Sequence, residues 1–237
     1  MTDHERNAVP GSLSTVWTLA GVTLRRLARG KAMWVALLFA ALPVAYAVVV
    51  RSGERHLRES SKDLFTVSTL LLAIVPAMFV SASIGEEIEE RTSTYLWSRP
   101  IARWAVLAAK LCALTPIVIA LVVGGWAAGT AIWTGAAPSL MSCVGLAAGC
   151  IATSLVVGGI ATLVPRHSMA LSIGYMLADL FFGGLPFSLQ QLSVSYQTRT
   201  LAGMTSHPAI LGPVIALALI AGAWSAIALA RIRRLEP

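Results

Sequence analysis

Residues 84–110 read IGEEIEERTSTYLWSRPIARWAVLAAK. This strongly charged block lies between two long apolar runs, 64–85 and 105–133. Its carboxylates come first (Glu86, Glu87, Glu89 and Glu90). Arg91 and Thr92 follow, then the triplet Tyr95, Leu96 and Trp97, and finally Arg99, Pro100 and Arg103. A bilayer interior does not accept that density of charge, so the segment must face water beside the membrane. Acidic residues followed by an aromatic and apolar triplet read there as a handle for another protein, because aromatics and arginine dominate protein–protein hot spots. The plainer alternative is a solvated loop with interfacial aromatics.

Local chemistry gives the block an expected shape. Acids are favoured at a helix N-terminus by the helix dipole, and Glu87 and Arg91 stand at i,i+4 spacing, worth a few tenths of a kcal/mol. A short helix is expected to project Tyr95, Leu96 and Trp97. Pro100 suits the first turn of the next helix, where its missing N–H is no loss. Arg99 and Arg103 would then meet lipid phosphates.

Outward from this block the chain is a membrane protein. It is 57% hydrophobic and 12% charged, against roughly a quarter charged in soluble domains. A spanning helix needs about 20 apolar residues, and six runs qualify: 32–50, 64–85, 105–133, 140–164, 168–187 and 210–230. The expected fold is an all-α integral membrane protein with six transmembrane helices, and what remains is too little for a soluble catalytic domain. The ordering Ala45-Tyr46-Ala47 mimics a signal-peptide cleavage site, but the polar stretch before the apolar run is too long for that pattern. The first span is therefore expected to be retained.

The net charge of +7 sets orientation and needs no nucleic-acid partner. With the N-terminus placed inside, Arg6, Arg25, Arg26, Arg29, Lys31, Arg91, Arg99, Arg103, Arg166, Arg231, Arg233 and Arg234 fall on the inner side. Arg51, Arg55, Arg58, Lys62 and Arg199 fall outside. That asymmetry obeys the positive-inside rule. Both termini are expected in the cytoplasm.

Before the first span, residues 1–11 form a polar tail. From Leu13, apolar positions recur at helical spacing (Leu13, Val16, Trp17, Ala20, Leu24, Leu27), opposite Ser14, Thr15, Thr18, Arg25, Arg26 and Arg29. Residues 12–30 read as an amphipathic helix on the membrane surface; the rival reading is the start of a long first span. Residues 188–209 carry Leu189, Leu192 and Tyr196 at helical spacing with Leu185. They read as an amphipathic outer segment, or a shallow re-entrant one, before the sixth span. Pro43, Pro76 and Pro116 lie within spans, so neighbouring helices must satisfy the freed backbone groups. Gly125/Gly129 and Gly145/Gly149 are small-xxx-small pairs, read either as packing of the third and fourth spans within the chain or as a dimer seam.

Enzymatic motifs are missing. There is no G-x-x-x-x-G-K-[ST] phosphate loop and no H-E-x-x-H pair. Cys112, Cys143 and Cys150 sit in apolar runs; the last two are about 10 Å apart along one helix, too far to bridge. No metal and no cofactor is expected on this chain. Asp179 is the clear ionisable residue inside a span, where such groups mark ion paths. It either lines a polar cleft or makes a buried hydrogen bond to a neighbouring helix. Lys110, about two turns into the third span, is expected to snorkel to the inner interface.

The run from Glu87 through Glu89, Thr92, Tyr95, Leu96, Ser98, Pro100, Ile101 and Arg103, with Lys110 following, resembles the signature of permease subunits of type-2 ATP-binding-cassette (ABC) exporters. Arg91 departs from that pattern, which has glycine before the threonine. The resemblance extends in outline over the chain: amphipathic N-terminal helix, six spans, charged loop after span two, amphipathic outer segment before span six. It implies that residues 86–99 form a coupling helix docked on a separate cytoplasmic ATPase, and that residues 12–30 are the connecting helix. It also implies a working unit of two permeases, identical or homologous, and two ATPases. ATP and magnesium belong to that partner, the chain itself is no enzyme, and the location is a bacterial inner membrane. The substrate path is expected between permeases, lined from spans two and five by Phe65, Ser68, Ser81, Ser83, Tyr175 and Asp179. Two other classes stand beside this reading: a non-transporting scaffold that tethers an ATPase to another complex, and an ion-coupled carrier that depends on Asp179.

Overall fold

The computed structural model describes residues 12–51, 57–84, 103–185, 188–205 and 209–234. Among these residues the regular structure is entirely helical. The helices are α1 (Ser12–Arg29), α2 (Lys31–Ala40), α3 (Leu42–Arg51), α4 (Leu57–Pro76), α5 (Arg103–Thr134), α6 (Leu140–Leu163), α7 (Ser168–Phe182), α8 (Val194–Leu201) and α9 (Leu211–Arg234).

Among the described residues, five segments are long and apolar enough to cross a bilayer: Met33–Arg51, Lys62–Ile84, Trp104–Thr134, Leu140–Leu163 and Leu211–Ile232. The run 168–187, expected as a sixth, forms α7 of only 15 residues. At 1.5 Å per residue that is about 22 Å, short of the ~30 Å hydrocarbon core. Gly183 and Gly184 end it in a turn. A 3₁₀ turn (Ser188–Leu192) then leads into α8. Most of α8 is buried, including Ser195, Gln197, Thr198 and Thr200. Such polar backbone and side chains are tolerated at depth only when wrapped by protein.

The first span is two helices, broken at Ala41. Pro43 has no N–H to continue the ladder. Gly125 and Gly129 of α5 face this break. A Cβ on Gly125 would stand 2.6 Å from the Ala40 carbonyl oxygen, and one on Gly129 2.9 Å from that of Pro43. Gly145 of α6 abuts Ala202, and Gly149 abuts Thr198. Both glycine pairs therefore serve packing within the chain. Their partners are the first span and the end of α8, rather than each other.

The second span is the axle of the bundle. Phe65, Leu71, Leu72, Val75 and Phe79 are buried against Val118, Val122 and Trp126 of α5 and Leu146 of α6. After Pro76 the helix widens into a π turn, Ala77–Ser81, a common response to a proline-interrupted ladder. At one end of the bundle, Tyr46 donates to Asp63 (3.3 Å) and Arg51 donates to the Ile132 carbonyl (3.0 Å). The latter places a cation at the C-terminus of α5, where the dipole favours it.

α1 lies along the first turns of α5 by a narrow strip, with Ala20 buried and Leu19 packed on Ala105 and Ala109. Trp17 and Leu24, predicted on the same apolar face as Ala20, are exposed together with Val22. Small residues meet α5 while the large apolar ones face away from the bundle, as an interfacial helix allows.

Candidate functional site

The charged block itself lies outside the described residues: Glu86, Glu87, Glu89, Glu90, Arg91, Thr92, Tyr95, Leu96, Trp97, Arg99 and Pro100. Its flanks are described. Ile84 is buried at the end of the second span, and Arg103 is the first residue of α5. Lys110 joins the two flanks. It is not a snorkelling residue: it is 5% exposed, and its Nζ donates to the backbone carbonyl of Ser83. The bond ties α5 to the last described turn of the second span. This correction has a simple cause. A lysine snorkels where its side chain faces lipid, whereas Lys110 faces the neighbouring span.

The same end of the bundle carries α1, packed on Ala105 and Ala109 between the start of α5 and Lys110. Thus the amphipathic helix, both flanks of the charged block and the Lys110 tie converge on one region.

The six residues expected along a substrate path divide by environment. Phe65 is 1% exposed and meets Trp126 edge-on, with centroids 5.1 Å apart. Ser68 is buried and donates to the Leu64 carbonyl (3.2 Å). Ser81 is buried in the π turn, and its carbonyl accepts from Ser168 (3.4 Å). These three are enclosed by the protomer's own helices. Ser83 is half-buried and offers its carbonyl to Lys110. Tyr175 is 38% exposed and edge-on to Trp224 of α9. Its side of α7 continues in exposed Leu171 and Phe182.

Asp179 faces inward, at 9% exposure. One carboxylate oxygen accepts from the Val194 N–H (2.8 Å), the other from the Ser195 N–H (2.9 Å), the Ser195 hydroxyl (2.7 Å) and the Ser193 hydroxyl (3.2 Å). It is a capping carboxylate delivered from a different helix: it satisfies the first N–H groups of α8 and places negative charge at the positive dipole end. Gly183 makes room for the serines, since a Cβ there would stand 2.7 Å from the Ser193 hydroxyl.

Sequence reasoning missed Ser193, Ser195 and the buried tie of Lys110. A signal for the first two existed in Ser-Val-Ser ahead of the α8 run, because serine is a favoured N-cap and Ser193 caps α8 at Tyr196. Nothing in the apolar sequence around Lys110 indicated which side of α5 would be covered.

A family model described as ABC-2 family transporter protein matches residues 24–183. The match runs from within α1 to the turn after α7 and includes the charged block. Among curated proteins, none is similar enough to this chain to match.

Proposed function

The chain belongs to the ABC-2 family of transporter proteins, a multi-pass membrane permease, and from that premise we propose that it forms the membrane half of an ATP-driven exporter whose hydrolysis occurs on a separate subunit. Residues 86–99 are the contact with that ATPase, and Tyr95, Leu96 and Trp97 carry its motion into the spans. The observation that supports this most is the convergence at one end of the bundle. The second span ends and the third begins on either side of the charged block, and Lys110 holds them together.

In this reading the working unit has two permeases and two ATPases, with ATP and magnesium on the partner chains. The segments from α7 to α8 complete the sixth passage, both termini lie in the cytoplasm, and the membrane is the bacterial inner one. Tyr175 and the exposed side of α7 face the substrate path. Phe65, Ser68 and Ser81 act from within the protomer by setting the shape of the second span. The switch between inward- and outward-open states follows from differential binding of nucleotide to the two states. An ion-coupled carrier would need Asp179 available to a proton or cation. Its four donors favour the ATP-driven reading instead.

The test is alanine at Tyr95, Leu96 and Trp97 together, in the complex with its ATPase. Insertion and nucleotide hydrolysis persist, while transport no longer follows hydrolysis. Unchanged transport sinks the proposal. Failure of a transported substrate to stimulate wild-type ATPase activity would instead favour a tethering scaffold.

A further inference from the structure

A cleft of about 210 Å³ opens between the first turns of α5, the last turns of α6 and the last turns of α9. Its walls include Trp104 and Leu111 of α5, Leu155 and Gly158 of α6, and Ser225 and Leu229 of α9. Among the described residues of the lining the one hydroxyl, that of Ser225, already donates to the Ala221 carbonyl at 2.7 Å. The lining thus has almost nothing to offer an aqueous ligand and much to offer hydrocarbon. The volume is roughly seven times the ~30 Å³ that a water molecule occupies in the liquid. That suits a run of methylenes, and it is too small for an added α-helix of about 10 Å diameter. Gly158 keeps the floor low: a Cβ there would already stand 3.3 Å from a Leu111 methyl.

The position of the cleft adds charge to shape. It lies where α5 begins, at Arg103, and where α9 runs into Arg231, Arg233 and Arg234. Arg231 is exposed two residues beyond Leu229. Trp104, 46% exposed, stands at this mouth, as tryptophans do at the level of lipid headgroups. An apolar slot with an interfacial indole on its wall, beside the end of α9 that carries the exposed Arg231, suits a phospholipid with its chain in the slot and its anionic headgroup toward that arginine.

We propose that the cleft between α5, α6 and α9 is a binding site for an anionic phospholipid, one acyl chain lying along Leu111, Leu155 and Gly158 and the phosphate at Arg231. A bound lipid here would fill the groove between three spans beside the turns on which α1 rests. The proposal does not depend on the ATPase contact, and its test uses the full chain alone.

Wild-type protein is reconstituted into vesicles containing brominated phosphatidylglycerol or brominated phosphatidylcholine, and the Trp104 signal is isolated by difference against Trp104→Phe. Bromines on the acyl chain quench that signal. The phosphatidylglycerol is favoured by about fivefold, the effect of one basic residue near an anionic surface. Arg231→Gln, a surface change that leaves packing intact, removes the preference while quenching by both lipids remains. Ala108→Phe, which fills the slot from α5, lowers quenching by both. Equal quenching of the wild type by the two lipids, a preference that survives Arg231→Gln, or no quenching by either lipid because protein covers the slot would each overturn the assignment.

Discussion

Asp179 and Ser195 are joined by three hydrogen bonds. The Ser195 N–H donates to the Asp179 carboxylate at 2.9 Å, and its hydroxyl donates to the same oxygen at 2.7 Å and to the Asp179 carbonyl at 3.1 Å. One residue ends a short helix and the other starts the next, so the pair fixes the hairpin between α7 and α8. A buried carboxylate is tolerable only when its lone pairs are filled. Here charge-assisted bonds and the α8 dipole fill them together.

Asp179→Ala leaves the Val194 and Ser195 N–H groups without their carboxylate acceptor, while the Ser193 and Ser195 hydroxyls keep the carbonyl of residue 179. Destabilisation of about 2–3 kcal/mol is expected, read as a lower melting temperature in detergent. Asp179→Asn recovers only part of it, because its amide presents donors to donors. A variant that melts like wild type but loses transport would return Asp179 to the substrate path.

Lys110→Met keeps the aliphatic stem and removes the donor to Ser83. The protein is expected to insert, with a modest loss of stability of about 1–3 kcal/mol, and to transport less per ATP hydrolysed. Lys110→Arg, which keeps the charge, restores part of the coupling. Equal transport per ATP in Lys110→Met and wild type would show that the tie is structural only.

Gly125→Leu meets the Ala40 carbonyl, a backbone atom that cannot rotate away. Overpacking of about 1–3 kcal/mol or more is expected, with the first span displaced from α5. A lower melting temperature in detergent than the wild type, with insertion retained, checks this.

Phe65→Ala opens a cavity against Trp126. The expected loss is about 3–5 kcal/mol, with selectivity among substrates unchanged. If selectivity shifts while the melting temperature holds, Phe65 belongs to the path and not to the core.

Much of the architecture was legible before folding, and the misses have physical causes. Apolar runs of spanning length marked five helices, because water and hydrocarbon differ so strongly as solvents. The run 168–187 meets the same criterion, and its α7 covers 15 residues. It is apolar enough, yet Gly183 and Gly184 turn the chain, and the remaining polar groups of α8 are enclosed by protein. Phe65, Ser68 and Ser81, expected along a path, are buried among the described helices. Trp17 and Leu24, on the expected apolar face of α1, are exposed, as a face turned to lipid would be.

The sequence by itself determined where this chain is compatible with lipid and which short block concentrates its charge. Those properties depend on local composition and length. Only the tertiary structure decided that Asp179 caps α8, that Lys110 seals the end of the second span, and that the two glycine pairs receive the first span and α8. Inside a bilayer the lipid is as apolar as a neighbouring helix, so a span that is apolar all round bears no mark of which side is covered. Close packing and hydrogen bonds between helices make that choice.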